Sequence, residues 1–203
     1  MKLKYLYGGL LFAFFMSCGA EKNTPPAQGG PKEFPVLGNG PVTPFGFVAH
    51  TGDTITEKNM DGKLTVMDFF FTSCPTICPK MKTQLLRVYE KYRTNDRVLI
   101  LSHSIDPEFD TKEVLADFAK RLEVSGDRWY FLTGDKDSIY ARADQYMISA
   151  KADASAPGGY AHSGAFLLID GDRNIRGMYD GTREQAVDSM MADMDILLKQ
   201  EWK

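Results

Sequence analysis

Two patterns of hydrophobic residues alternate along this chain: short continuous runs, and longer stretches in which apolar residues recur every three or four positions. The run from Leu64 to Phe71 is aromatic and β-branched and follows Gly62, so it predicts a fully buried strand. Similar runs at residues 98–101, 129–132 and 165–170 predict three further strands.

Helical periodicity fills the intervals between these runs. After Pro79, which suits a first helical turn, apolar residues recur at helical spacing. This face consists of Met81, Leu85, Val88 and Tyr92. Further helices are predicted after a cap at Asp110 or Thr111, from Asp135 or Asp137 to about Tyr146, and from about Thr182 to Gln200. In the last of these, Met190, Met191 and Met194 fall at helical spacing and are predicted to be core residues.

Turn signals complete the order of elements. Residues 44–55 predict a hairpin ahead of the first buried strand, and residues 171–174 predict the turn of a second hairpin. Residues 150–159 are rich in Ala, Ser, Pro and Gly and predict a loop. This order predicts an α/β fold in which helices flank both faces of a central mixed sheet.

The N-terminal residues carry a different pattern. Lys2 and Lys4 precede an uncharged apolar stretch, which is typical of a secretory signal. Ser17 and Cys18 end this stretch and resemble a bacterial lipobox, in which Cys18 is lipidated and becomes the mature N-terminus. The alternative is a plain signal peptide or an uncleaved anchor, with no role for Cys18.

The stretch that follows is rich in proline and glycine and has no apolar period, so it predicts a flexible tether. The expected organisation is a lipoprotein-type signal over residues 1–18, a tether over 19–43 and one folded domain over 44–203. At 43% hydrophobic and 25% charged residues the composition is that of a globular protein. The net charge is −3 and no basic stripe occurs, which argues against a nucleic-acid partner.

Apart from Cys18, the chain has one pair of cysteines, Cys74 and Cys78. They follow the carboxyl end of the predicted buried strand, where open α/β sheets place their chemistry. A disulfide across so short a loop would restrain the unfolded chain little, so a purely structural bridge is disfavoured. In a helical or turn-like segment both sulfurs face one side, and a helix start lowers a thiol pKa. The pair therefore suits either metal binding or thiol–disulfide exchange.

Three histidines are available as a third ligand. His162 directly precedes a predicted central strand and is either a ligand or, as lone histidines more commonly are, a structural or exposed residue. His50 lies in a surface-type turn and is expected to be solvated, whereas His103 ends a buried strand and is expected to be packed. Two thiolates and an imidazole are soft-to-borderline ligands that suit copper in either oxidation state. Zinc would also accept them, although structural zinc normally requires a fourth protein ligand.

Two carboxylates also stand near the candidate site in the sequence. Asp106 precedes Pro107, a combination that commonly forms turns. Asp68 lies within the buried strand, where a carboxylate is unfavourable unless it is paired. It is interpreted either as a proton acceptor for a thiol or as a residue at a sheet edge.

Three segments resemble the SCO/SenC family of copper-binding thioredoxin-fold proteins. They are Cys74-Pro75-Thr76-Ile77-Cys78-Pro79, Ser104-Ile105-Asp106-Pro107-Glu108, and His162 before its strand. The resemblance extends from about Pro44 to Lys199, and three residues separate the cysteines where ordinary thioredoxins have two. It implies a thioredoxin-like fold with an N-terminal β-hairpin extension, a copper site formed by Cys74, Cys78 and His162, and a supporting role for Asp106. Phe109 stands where the family commonly has arginine, at a position that bears on partner recognition.

The same resemblance implies delivery of copper to the binuclear centre of cytochrome c oxidase subunit II, or reduction of that subunit's cysteines. Together with a lipidated Cys18, it predicts an exported copper chaperone anchored at the periplasmic side of the cell envelope, serving that subunit or another copper-receiving protein. A second hypothesis is a thiol–disulfide oxidoreductase in which Cys74 attacks and Cys78 resolves, without an obligatory metal. A peroxidase-like protein using Cys74 is disfavoured, because no threonine–arginine arrangement accompanies the thiol.

Overall fold

The computed structural model describes residues 32–202, which form nine strands and four α-helices. The strands are β1 (Gly46–Ala49), β2 (Thr54–Thr56), β3 (Leu64–Phe70), β4 (Val98–Ser104), β5 (Trp129–Thr133), β6 (Ala150–Ala152), β7 (Tyr160–His162), β8 (Ala165–Ile169) and β9 (Ile175–Asp180). The helices are α1 (Ile77–Tyr92), α2 (Lys112–Arg121), α3 (Lys136–Gln145) and α4 (Glu184–Leu197). None of these four helices is long and apolar enough to cross a membrane. The signal and lipidation predictions for residues 1–18, Cys18 included, lie outside the described residues.

Seven strands form one mixed sheet in the order β2-β1-β5-β4-β3-β8-β9. Strands β3, β4 and β5 run parallel, whereas β1 and β8 are antiparallel to their neighbours in this core. Every residue of β3 is buried, as its continuous apolar run predicts. Phe70 lies opposite Ser104, so the carboxyl ends of β3 and β4 meet at one edge of the sheet.

Helices cover both faces of this sheet, as predicted. On one face, Lys82 of α1 lies 3.9 Å from the centre of the Phe70 ring, and Phe118 of α2 stacks on the same ring at 5.6 Å. On the other face, Tyr146 follows α3 and its ring lies 6.4 Å from that of Phe69. Strands β1 and β2 form the predicted N-terminal hairpin, at one end of the sheet. In α4, Met190 and Met194 are fully buried and Met191 is partly buried against the core.

The segment directly before this hairpin contacts the folded unit. The N–H of Leu37 donates to the Ile175 carbonyl at 2.8 Å, and the N–H of Val42 donates to the Arg173 carbonyl at 2.9 Å. The Val42 side chain is buried in the core. The folded unit therefore begins near Phe34, ahead of the boundary at residue 44 that sequence composition indicates. Single apolar residues such as Val42 attach this segment to the core. Because they do not recur at a regular spacing, the sequence gives no periodic pattern that would indicate the attachment.

A second difference concerns residues 150–159, where a loop was predicted. This region contains β6, which pairs antiparallel with β7 so that Ala150 lies opposite His162. The two strands form a separate two-stranded sheet. The loop prediction was wrong at β6, because a three-residue strand is too short to establish an alternating pattern.

Asp68 is fully buried inside the sheet and pairs with a lysine, so its interpretation as an edge residue is wrong. Its carboxylate lies 2.8 Å from Nζ of Lys82, which is also buried. The Ser102 hydroxyl donates to the other carboxylate oxygen of Asp68, and it accepts from Nζ of Lys82 at 3.1 Å and from Nε1 of Trp129 at 2.9 Å. A buried carboxylate thus has both a counter-ion and hydrogen-bond donors, as its burial requires.

We expect Lys82→Met to lower the free energy of unfolding by about 3 kcal/mol, because it leaves the Asp68 carboxylate buried without its counter-ion. Adding Asp68→Asn should recover part of this loss, since the isosteric amide carries no charge. Urea denaturation of both single variants and the double variant measures the coupling. Strictly additive effects would contradict the ion pair.

The two histidines other than His162, which are His50 and His103, are both buried. His103 is packed as predicted, among the rings of Phe47 at 5.4 Å and Phe69 at 5.2 Å, and burial lowers its pKa to about 3. His50 was expected to be solvated, which is wrong. Its Nδ1 accepts from the N–H of Phe131 at 3.2 Å, because the turn folds back onto β5. Burial lowers the pKa of His50 as well.

The lowered pKa of His103 makes the fold sensitive to acid. Between about pH 3 and 6.5 the unfolded chain binds a proton at this ring and the folded chain does not, so stability falls as the pH decreases through this window. At pH 5 this single group should reduce the free energy of unfolding by about 2 kcal/mol relative to pH 8. Urea denaturation of His103→Leu at both pH values should therefore show a smaller difference than the wild type. An unchanged difference would contradict a neutral buried ring.

Candidate metal centre

Cys74 and Cys78 lie where β3 ends and α1 begins. The N–H of Cys74 donates to the Phe71 carbonyl at 3.3 Å, which closes a turn directly after the strand. Helix α1 begins at Ile77, so Cys78 lies in its first turn together with Pro79. Both cysteines are buried, with exposed fractions of 7% and 4%, and both thiols are free.

A buried aspartate fixes the start of this loop. The N–H of Thr72 donates to Oδ2 of Asp110 at 3.0 Å, and the Thr72 hydroxyl donates to its other oxygen. The Ser104 hydroxyl, at the end of β4, also donates to Asp110. Burial raises the pKa of this carboxyl, although the three hydrogen bonds oppose that effect. The sequence suggested Asp110 or Thr111 as the cap of α2; Thr111 is the cap, and Asp110 joins the cysteine loop to β4.

His162 reaches the two thiols from β7. Its Nε2 lies 3.2 Å from Sγ of Cys78, and its Nδ1 lies 3.1 Å from the Ser163 carbonyl oxygen. An Nδ1–H that donates to this carbonyl leaves the Nε2 lone pair directed at the sulfurs, which is how a ligating imidazole is usually oriented. The donor atoms of Cys74, Cys78 and His162 all lie within 4.8 Å of one another.

The two thiols differ in their electrostatic environment. Burial raises the pKa of Cys74, but the N–H of Thr76, the thiol of Cys78 and the N–H of Cys78 outweigh it, so the net pKa is lowered. Burial raises the pKa of Cys78 strongly, and its hydrogen bond to Cys74 raises it further. Burial lowers the pKa of His162, which keeps the ring neutral at pH 7. The site therefore offers one thiol that loses its proton more readily than an ordinary cysteine, one thiol that holds its proton more strongly, and one imidazole lone pair.

The hairpin that carries His162 packs closely on the cysteine loop. Gly158 lies in its turn at φ +80°, and a Cβ there would come within 2.8 Å of the Phe71 ring and 3.2 Å of Pro75. The ring of Tyr160 lies 5.2 Å from that of Phe71. Only a glycine fits this approach without displacing the loop.

Asp106 is not one of the three converging donors; it contacts the site through a tyrosine. The Tyr160 hydroxyl donates to Oδ1 of Asp106 at 2.8 Å. Burial and this carboxylate raise the pKa of Tyr160, so its hydroxyl stays a donor at neutral pH.

Sequence reasoning missed Tyr160, Gly158 and the anchoring role of Asp110. The Gly158-Gly159 pair was the one available signal, since paired glycines mark turns.

Two clefts give access to the sulfurs. One, of about 170 Å³, is bordered by Cys74, Thr76, Pro157, Tyr160 and His162. The other, of about 290 Å³, is largely apolar and is bordered by Phe71, Cys74, Cys78, Lys82, Leu86 and Phe118. Both clefts are bordered by Cys74, which carries one of the three donor atoms that lie close enough together to hold one metal ion.

Comparison with known proteins assigns this chain to a family. The profile of the SCO1/SenC family matches residues 38–199, from the segment before β1 to the end of α4. The chain belongs to the SCO1/SenC family. Among SCO1/SenC relatives, the SCO1 protein homolog of Bacillus subtilis (strain 168) is 30% identical over 197 residues, which cover 95% of each chain. The mitochondrial SCO1 homolog 1 of Arabidopsis thaliana is 29% identical over 164 residues, which cover 78% of this chain and 48% of that protein.

Solved structures of SCO1/SenC proteins share the fold, which confirms the thioredoxin-like architecture. A SCO1/SenC family lipoprotein from Bacillus anthracis superposes with a TM-score of 0.70 at 25% identity, covering 77% of this chain and 94% of that one. Arabidopsis thaliana ScoI with copper bound gives a TM-score of 0.66 at 27% identity, covering 79% and 99%. BsSco, described as a member of the Sco family of cytochrome c oxidase assembly proteins, gives 0.66 at 27% identity, covering 80% and 96%.

The difference between the thiols predicts selective alkylation. At pH 7 a limiting amount of iodoacetamide should modify Cys74 at least about tenfold faster than Cys78, because the thiolate is the nucleophile. Tandem mass spectrometry of the tryptic peptide 64–80, which contains both cysteines, distinguishes the two products. Protein unfolded in urea serves as the control and should react equally at both positions. Preferential modification of Cys78 in the folded protein would contradict the assignment.

Proposed function

We propose that this SCO1/SenC protein binds copper through Cys74, Cys78 and His162 and delivers it for cytochrome c oxidase assembly. The observation that carries the proposal is the convergence of these three donor atoms within 4.8 Å. The copper-bound structure of Arabidopsis thaliana ScoI, at 27% identity, supports copper as the cargo. The description of BsSco as belonging to a family of cytochrome c oxidase assembly proteins supports the destination.

The donor set suits copper in particular. Thiolate sulfur is a soft ligand that favours Cu(I), and imidazole also binds Cu(II), so the site can hold either oxidation state. Structural zinc sites are almost always four-coordinate with four protein ligands, and three donors converge here among residues 32–202. Copper also exceeds zinc in the divalent affinity order.

The environment of each donor gives it a distinct part in loading and release. Cys74, with its lowered pKa, loses its proton more readily than Cys78 and so is the first of the two sulfurs to become anionic. Cys78 releases its proton as the metal binds, so uptake of copper should release protons. His162 is oriented by the Ser163 carbonyl and supplies a neutral lone pair. The two clefts leave room for the ligands of a receiving protein, so copper can pass by ligand exchange.

The proposal includes a membrane tether. The lipobox-like Ser17-Cys18 and the proline- and glycine-rich stretch that follows support lipid attachment at Cys18 and a location on the periplasmic side of the cell envelope. A tethered carrier has a raised effective concentration near a membrane-embedded client. The copper-receiving partner would be cytochrome c oxidase subunit II or another copper-receiving protein.

The lowered pKa of Cys74 favours a second candidate, a thiol–disulfide oxidoreductase. The Cys74 thiolate would attack a client disulfide and form a mixed disulfide while one client sulfur leaves as a thiolate. Cys78 would then lose its proton and attack Cys74, which releases the second client thiol and leaves a Cys74–Cys78 disulfide. Two electrons pass to the client, and an external dithiol would have to reduce the protein again.

Copper titration of the reduced full-length protein tests the first candidate. The wild type should bind one ion per chain, and His162→Ala should bind at least about tenfold more weakly because one of three donors is lost. The matched control is His50→Gln, which replaces a buried histidine directly after β1. This variant should bind copper as tightly as the wild type. Isothermal calorimetry with competing chelators measures the affinity.

The same variants separate the two candidates. His162→Ala should still exchange thiols with a small disulfide, because both cysteines remain. A wild type that binds no copper above background but reduces disulfides would overturn copper carriage and leave the oxidoreductase. A His162→Ala variant that binds copper as tightly as the wild type would remove His162 from the site.

A further inference from the structure

The hairpin that carries His162 has little support from backbone pairing. Strands β6 and β7 contain three residues each and form a sheet separate from the seven-stranded one. An isolated two-stranded hairpin is marginally stable at best in water. Two residues, Ser163 and Gly164, join the end of β7 to β8 of the main sheet, so the rest of the hairpin depends for its position on side-chain contacts with the ends of the main strands.

Tyr160 makes two of these contacts. Its ring packs 5.2 Å from the ring of Phe71, directly after β3, and its hydroxyl donates to Asp106 at 2.8 Å. Asp106 is itself fixed in the turn after β4: its N–H donates to the Ser104 hydroxyl at 3.1 Å, and its carbonyl accepts from the N–H of Asp110 at 2.8 Å. Tyr160 thus connects the hairpin to the ends of both neighbouring central strands.

Tyr160 and His162 are two positions apart on β7, so their side chains point to the same face of the hairpin. The Phe71 ring contacts both of them, at 5.2 Å from Tyr160 and 5.8 Å from His162. A hairpin held at Tyr160 therefore also holds the imidazole. If it is released there, the imidazole can move away while the two sulfurs stay on the loop and on α1.

We propose that Tyr160 is a positioning residue whose hydroxyl, bound to Asp106, keeps His162 facing Cys74 and Cys78. With the bond intact, a metal ion meets three donors; with the bond broken, it meets two. This inference rests on the proposed copper site. It adds a role for the Tyr160 hydroxyl, which is not itself a metal ligand.

The decisive variant is Tyr160→Phe, which keeps the ring on Phe71 and removes the hydroxyl. We expect it to weaken copper binding about tenfold, as is typical when a partner behind a metal ligand is lost. Asp106→Ala should have the same effect, and the double variant should be no weaker than either single variant. Asp106→Asn should restore binding, because its amide oxygen still accepts from the tyrosine.

Tyr140→Phe is the matched control. The Tyr140 hydroxyl donates to the carbonyl of Ile105, the neighbour of Asp106, at 3.0 Å, but it comes from α3 rather than from the hairpin. Its removal should leave copper affinity unchanged. The Cu(II) electron paramagnetic resonance spectrum adds a specific signature, because nitrogen coupling from the imidazole should weaken in Tyr160→Phe and persist in Tyr140→Phe.

A metal-free measurement separates this inference from the copper proposal. In the reduced protein without copper, amide hydrogen exchange over residues 150–162 should accelerate in Tyr160→Phe and in Asp106→Ala, and should stay at the wild-type rate in Tyr140→Phe. If the wild type binds no copper, this result still decides whether Tyr160 holds the hairpin. Wild-type exchange in both Tyr160→Phe and Asp106→Ala would overturn the inference, whatever happens to copper affinity. Full retention of copper affinity in both variants would overturn it as well.

Discussion

The candidate site depends on one packing contact, the approach of the hairpin to Phe71. This ring is fixed because it directly follows β3, the strand in which every residue is buried. Gly158 approaches the ring closely from the hairpin turn, and Tyr160 and His162 pack on it from β7. Through this contact the seven-stranded sheet restrains a hairpin whose strands are not part of it. Without this contact, the strand that carries the imidazole would be connected to the sheet chiefly through Ser163 and Gly164, which link β7 to β8.

Buried polar groups are concentrated on the strands that lead to this edge of the sheet. Asp68 and Lys82 pair between β3 and α1, one helical turn beyond Cys78, and Asp110 accepts hydrogen bonds from Thr72 at the start of the cysteine loop. Each of these groups has charged or hydroxyl partners, so the desolvation that burial imposes is offset locally. Such networks specify one arrangement of the loop more strictly than apolar packing does, because a displaced member leaves a buried polar atom unpaired.

The sequence predicted those parts of the site whose positions follow from local periodicity. The run ending at Phe71 and the helical pattern after Pro79 placed both cysteines at a strand–helix junction. The position of His162 does not follow from periodicity, because β7 has three residues and its approach to the loop is a long-range contact; resemblance to a family supplied that residue. The solvated position expected for His50 was wrong, and the anchoring role of Asp110 was missed, for a related reason. A polar residue in a turn looks the same in sequence whether it faces solvent or folds back onto a strand.

The contact between Cys78 and His162 links the two candidate chemistries. The sulfur and Nε2 lie 3.2 Å apart, within hydrogen-bonding distance of each other. A metal ion would replace the proton of the Cys78 thiol and be held by both atoms together with Cys74. A disulfide between the cysteines would instead consume both sulfurs and leave the imidazole without a thiol partner. Copper carriage and thiol exchange are therefore alternative states of one pair of sulfurs, and His162 contributes its lone pair only to the first.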